Sequence, residues 1–256
     1  MKKLLSSMLM AAMCGPVSIS AQISPLVNPV TVEKQRVRTI SLYADGNVQS
    51  MLESTENTSA TGSIGLAIQN PYVFAALHVT AAGTMENVTE AFGGRVLSAG
   101  GGGSFSGFGA DLRWLPRKWL DLWYGGRTYV QGSSSNWVSG TQSVSAPLVA
   151  AGLLATLEYR DSLGVDNPVS VMADIGIARR QIRGNIAQST NDSFREAILG
   201  TRQTGWTGME AALTIQVHQI SARGAYYHFG GNINGLSKGQ IVTSISVKSA
   251  IFSDRR

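Results

Sequence analysis

Three histidines, His78, His218 and His228, are the residues of this 256-residue chain whose type most directly suggests acid–base chemistry. An imidazole becomes a catalyst only with a partner, either a nucleophile to deprotonate or a carboxylate that holds it while it activates water. None of the three has paired acidic residues beside it. The glycine runs Gly100 to Gly103 and Gly107 to Gly109 could suggest a phosphate cradle, but no Gly-Lys-Ser/Thr follows them and no helical pattern begins there. The single cysteine, Cys14, rules out Cys/His metal spacing, so no metal site and no cofactor are expected. A larger chemical set is ionic: Asp111, Arg113, Asp121, Arg127, Glu158, Arg160, Asp174, Arg180, Glu210, Arg223 and Lys248, with both signs interspersed.

The elements that carry these charges are strands. From Trp119 to Gln131, Leu120, Leu122, Tyr124, Thr128 and Val130 share one parity while Asp121, Arg127 and Gln131 share the other. A strand sends those sets to opposite faces. The same alternation runs through Val169 to Ala178, Met209 to Val217 and Ile241 to Ile251. Further strands are predicted at about Gly62 to Gln69, Tyr72 to Ala81, Val96 to Leu115, Leu148 to Arg160 and Ser221 to Gly230, with one more near Val37 to Tyr43. The fold class is therefore all-β, with ten strands expected and eight or twelve as alternatives.

The N-terminus has the form of a secretory signal peptide: Lys2 and Lys3, an apolar stretch from Leu4 to Met13, and small residues before Gln22. Cleavage after Ala21 would leave a cysteine-free chain; lipidation at Cys14 is the alternative, which Met13 fits poorly. Charged residues are only 14% of the chain, against roughly 25% in a typical soluble domain, and apolar residues are 43%. That balance argues against disorder. The basic residues are scattered singly, which excludes a nucleic-acid-binding patch. No segment after the leader approaches 18 consecutive apolar residues, which excludes a helical membrane protein.

The connections alternate in length. Short turns are expected at Asn70-Pro71, Pro116 to Lys118, Asp161 to Asn167 and His218 to Ile220; longer polar loops at Ala82 to Gly94, Gly132 to Ser145, Arg183 to Gln203 and Gly231 to Gly239. Short turns at one end and long loops at the other suit a transmembrane barrel, with periplasmic turns and extracellular loops. Tyr72, Trp114, Trp119, Trp123, Tyr124 and Tyr159 cluster near the short turns, where a girdle of rings would meet the membrane interface. Phe105, Phe108, Tyr129, Trp206, Tyr227 and Phe229 are available for the other girdle.

On these features, from the leader through residues 62 to 252, the chain resembles bacterial outer-membrane β-barrel proteins. The resemblance implies a closed antiparallel transmembrane β-barrel, an outer-membrane location, contact with outer-membrane lipid, and recognition by the barrel assembly machinery through a terminal strand, Gln240 to Phe252. Four residues follow Phe252, a departure from strands that close on an aromatic residue. Expected divisions are 1–21 signal peptide, 22–36 periplasmic lead-in with Pro25 and Pro29 breaking structure, and 37–256 barrel, with Asn47 to Ala60 as an extracellular loop. Within Arg183 to Gln203, Ser193 and Glu196 are spaced as a capping box for a short helix that either folds inward or stands outward.

The charged set falls on the inward face. Its two readings are a plug of salt bridges and the lining of a narrow aqueous path. A non-catalytic role is expected, either a narrow, porin-like pore or a structural and surface-interaction protein. The alternatives are an outer-membrane hydrolase using the rim histidines His78 and His228, and a soluble secreted β-protein. The run around His228 faintly resembles the His-x-Ser-Asn run of lipid A deacylases, but Gly230 stands where the serine would be.

Overall fold

Alternating apolar and polar side chains give every strand one face for hydrocarbon and one for a polar interior, and strands of that kind satisfy their backbone groups in lipid only by closing on themselves. The computed structural model shows that closure. It describes residues 29–35, 38–51, 54–84, 105–134, 136–139, 142–161, 168–229 and 240–255. The leader and Cys14, Gly100 to Gly103, and the side chains of Phe105 and Phe252 lie outside the described residues.

The strands are β1 (Thr39–Met51), β2 (Ser54–Gln69), β3 (Val73–Thr84), β4 (Phe105–Trp119), β5 (Leu122–Ser134), β6 (Asn136–Ser139), β7 (Gln142–Ser145), β8 (Leu148–Arg160), β9 (Val169–Ile182), β10 (Gly205–Val217), β11 (Ile220–Phe229) and β12 (Gln240–Arg255). Ten of them form a closed barrel in the order β1-β12-β11-β10-β9-β8-β5-β4-β3-β2, while β6 and β7 make a separate two-stranded sheet. Every pairing is antiparallel, and the first strand meets the last with Thr39 opposite Arg255. Ser253 to Arg255 therefore continue the terminal strand, and the weak strand expected near Val37 to Tyr43 extends to Met51.

Two short helices accompany the barrel: α1 (Pro29–Gln35) and α2 (Asp192–Leu199). Pro29 does not break structure as expected; it opens α1, where a missing N–H costs nothing and the fixed φ suits the first turn. The N-cap of α2 is Asn191, two residues before the expected cap Ser193, and the helix ends on Gly200 in the left-handed conformation, φ 67°.

The polarity is the inverse of a water-soluble protein's. Outward positions carry Ile64, Leu66 and Ile68, Leu77 and Val79, Leu153 and Leu157, Ile175 and Ile177, Met209 and Leu213, all exposed. Inward positions carry ten of the eleven predicted charges, all buried. Strands with this pattern in a closed sheet make a membrane-spanning β-barrel of the outer-membrane type. Among the described residues no helix is long and apolar enough to cross a membrane.

Three boundaries differ from expectation. Of the loop expected from Asn47 to Ala60, residues 47–51 and 54–60 are strand, because β1 and β2 run on together as far as Met51 and Ser54. The β4–β5 turn is Leu120–Asp121, not Pro116 to Lys118: pairing between the strands shifts between Trp114 and Arg117 and then resumes. Such an irregularity lets a strand absorb Pro116, which has no N–H to donate. The strand expected from Val96 begins, within the described residues, at Phe105.

Candidate functional site: the lumen and its two ends

Asp111, Arg127, Asp174, Arg223, Glu210, Arg180 and Tyr129 come from β4, β5, β9, β10 and β11, and they join across the lumen. Arg127 donates to Asp111 from two nitrogens, Nη2 at 2.6 Å and Nε at 3.1 Å, and reaches Asp174 with Nη1 at 3.0 Å. Asp174 also accepts from Thr156 at 2.7 Å and from Arg223 at 3.2 Å. Arg223 continues to Glu210 at 2.9 Å, and Glu210 accepts from the Tyr129 hydroxyl at 2.6 Å. Burying a charge is tolerable when it is paired and its remaining donors are satisfied. The bidentate geometry at Arg127 does this with one side chain.

Above this network, toward the long loops, the lumen turns aromatic. The Arg180 guanidinium donates to Tyr129 Oη at 2.9 Å and lies 5.4 to 5.7 Å from the ring centres of Tyr129, Tyr227 and Phe229. Three quadrupoles and one phenol oxygen thus hold a cation where polar interior meets apolar interior. Trp206, Leu148, Ile182 and Ala150 continue the apolar cluster, and Ile186, Phe194 and Leu199 close it from the α2 segment. Arg195, buried in that segment, donates to the carbonyl of Arg202 at 2.9 Å and to that of Ile186, tying the segment to itself. Of the two positions open to it in sequence, α2 takes the inward one.

At the short-turn end a second ionic group is built around Glu158. Arg160 donates to it at 2.9 Å and Arg113 at 3.4 Å. Arg160 also donates to the Pro71 carbonyl at 2.9 Å and stacks 4.3 Å above the ring of Trp123. α1 is fastened here by one carboxylate: Glu33 accepts from Trp123 Nε1 at 3.0 Å, from Lys118 and from Arg160 at 3.5 Å. Val30 and Val32 of α1 are buried.

Two predicted positions differ. Asp121 is in the β4–β5 turn and half-buried, outside the lumen wall. Trp123 is no girdle residue; it faces inward and is buried, because it has the parity of Arg127 and not of Tyr124. Trp114, Trp119, Tyr124 and Tyr159 are exposed on the outer side near the short turns, while Tyr72, expected in the same girdle, is exposed in the β2–β3 turn with its ring edge-on to inward Trp123 at 5.5 Å. Of the aromatics available for the other girdle, Phe108 is exposed, while Tyr129, Trp206, Tyr227 and Phe229 point inward.

The two histidine candidates are on opposite faces of the wall. His78 is inward and buried against Gly109, where an added Cβ would come within 2.2 Å of its ring. His228 is outward and stacks on Tyr226 with ring centres 6.4 Å apart. No hydrogen bond joins either to a carboxylate among the described residues. Beside His78, Asp45 faces Lys248 across the β1–β12 seam and both are buried. Tyr43 Oη, Asp45 Oδ1 and His78 Nδ1 have no hydrogen-bond partner among the described residues. The residues that sequence reasoning missed are Glu33, Tyr43 and Asp45, the first because α1 was not foreseen, the other two because the strand near Val37 to Tyr43 was expected to end before its inward face could be read. Among the described residues no group of three or more His, Cys, Asp or Glu is placed to hold a metal ion.

No family model and no curated protein matches the chain. Among solved structures, it is similar to the β domain of the Bordetella autotransporter Brka, at 11% identity and a TM-score of 0.39 over 83% of this chain and 98% of that one. It is also similar to the Pseudomonas putida toluene transporter TodX, at 11% identity and a TM-score of 0.28 over 96% and 72%. The class stated above stands on this chain's own strand pairing and polarity.

Proposed function

We propose that this protein is an exported outer-membrane barrel whose lumen is a plug and whose role is structural or surface-interacting, without catalysis. The observation that carries the reading is the continuous cross-lumen network from Asp111 to Arg180, roofed by the aromatic cluster and α2. Barrels near eight strands are filled by side chains, whereas a wide channel needs 16 to 18. In this reading the short turns and α1 are periplasmic, the long connections and α2 face outside, and residues 1–21 are the export signal. Lipid contacts the apolar belt, and the assembly machinery inserts the chain.

Planar-bilayer recording of the purified protein tests the plug: no discrete current steps are expected, and regular single-channel steps would refute it. Location is checked by fractionation and by the gel shift between boiled and unboiled samples, which a closed barrel gives and a soluble β-protein does not. The narrow-pore reading has one supporting observation, the inward side of β1 and β3, where Tyr43, Asp45 and His78 present polar atoms without a hydrogen-bond partner among the described residues. If steps are seen, Asp45→Asn should change their ion selectivity.

A further inference from the structure

Arginines that face inward in this barrel are matched to carboxylates, but Arg179 faces outward. It occupies the long-loop end of β9, two residues beyond Ile177, and its side chain is exposed. Its guanidinium donates to Thr207 Oγ1 at 3.3 Å and to Gln181 Oε1 at 2.9 Å, and it has no carboxylate within salt-bridge distance among the described residues. Both partners are neutral, so the charge stays uncompensated at the upper edge of an apolar belt. A guanidinium has five N–H donors in a planar fork, more than these two oxygens use.

Lower on the same outer wall, beyond Ile177, strands β8 to β12 form an apolar groove of about 550 Å³. Ala155, Ala173 and Ala211 form its floor, and Leu157, Leu213 and Tyr226 its sides. The groove's Ile175 lies four residues from Arg179, about 13 Å at the rise of a strand, and Ala173 two residues further, so the groove starts in the leaflet at the long-loop end and reaches the middle of a hydrocarbon core about 30 Å thick. Tyr226 leads upward to His228, whose ring stacks on it, so a second nitrogen-bearing side chain flanks the head of the groove one strand beyond β10.

We propose that this wall binds a phosphate-bearing glycolipid of the leaflet at the long-loop end, with a phosphate on Arg179 and an acyl chain in the groove. The inference rests on the outer-membrane reading, in which that leaflet is the glycolipid one. The occupant follows from complementarity. An apolar trough shares its wall with a planar cation that has no carboxylate partner among the described residues, and guanidinium binds phosphate through two parallel hydrogen bonds. Gln181 and Thr207 flank the cation with further polar atoms suited to sugar hydroxyls, and His228 adds an imidazole two strands away on β11.

The test is native mass spectrometry of the full barrel in non-ionic detergent with added lipid A or dephosphorylated lipid A, which share their acyl chains. The wild type should retain lipid A at least tenfold better, Arg179→Gln should remove that preference, and Ala211→Phe, which fills the groove, should lower retention of both lipids several-fold. Equal retention of the two lipids by the wild type, or an undiminished preference in Arg179→Gln, overturns the phosphate site. Unchanged retention in Ala211→Phe overturns the acyl groove. Boiled and unboiled gel mobility confirms that each variant is folded. A protein that fractionates with outer membranes yet does not discriminate the lipids loses this site alone, whereas one that fractionates as soluble loses the location as well.

Discussion

At the scale of single residues, the interior is decided by where a small residue lets a large one lie flat. Gly109 is the clearest case, because His78 on the neighbouring strand occupies the space its Cβ would need. Gly109→Ala should destabilise the barrel by about 1–3 kcal/mol, the usual range for overpacking a tight core. His78→Ala should relieve most of that loss, so a double-mutant cycle read from urea unfolding in detergent will show strong coupling, and additive losses would contradict the contact. Asp174 presents the opposite problem. It holds Arg127 and Arg223 together, and Asp174→Ala leaves both guanidinium groups facing each other in a buried space. The expected loss is about 3–5 kcal/mol, measured by the same unfolding midpoints, since breaking a buried pair costs more than the pair itself contributes.

At the scale of elements, strands and α2 were legible and α1 was not, for physical reasons. A strand with lipid on one side and charges on the other must alternate, which is why β5, β9, β10 and β12 could be read residue by residue. The same parity already opposed Trp123 to Tyr124, and facing, not ring type, decides which of two adjacent aromatics meets lipid. β1 and β2 were misread between Asn47 and Ala60 because a strand that continues past the apolar belt no longer needs an apolar outward face, and its composition becomes that of a loop. α1 is too short to show a period, and its attachment depends on Glu33 reaching Trp123, 90 positions away in sequence. Glu33→Ala should free this helix without opening the barrel. Trp123 fluorescence should change and proteolysis near residues 29–35 should accelerate several-fold, while the boiled-to-unboiled gel shift persists.

For the whole molecule, the exterior behaves as the solvent-sensitive surface that a soluble protein keeps inside. A charge placed on it should cost most at mid-height. Leu213→Arg, near the middle of β10, should destabilise the folded barrel by about 2–4 kcal/mol, and Ile220→Arg, beside the short turn, by about 0–1 kcal/mol. Equal costs at the two positions, measured as unfolding in lipid vesicles, would mean that the belt is not where the membrane sits. The ion pairs themselves were foreseeable as a set of inward charges of both signs. Their partners were not, because Arg127 and Asp174 are 47 positions apart and only the strand order β4-β5-β8-β9 brings them together.

The seam between β1 and β12 governs how such a chain can be made. Thr39 and Arg255 stand side by side, so closure joins segments separated by nearly the whole described sequence. Until the final strand has left the ribosome the sheet has two raw edges, each a row of unpaired N–H and C=O groups open to any other strand. The barrel therefore cannot close as it is synthesised. A chain shortened by the sixteen residues of β12 would be left with the exposed edges of β1 and β11, and aggregation would compete with insertion from the start.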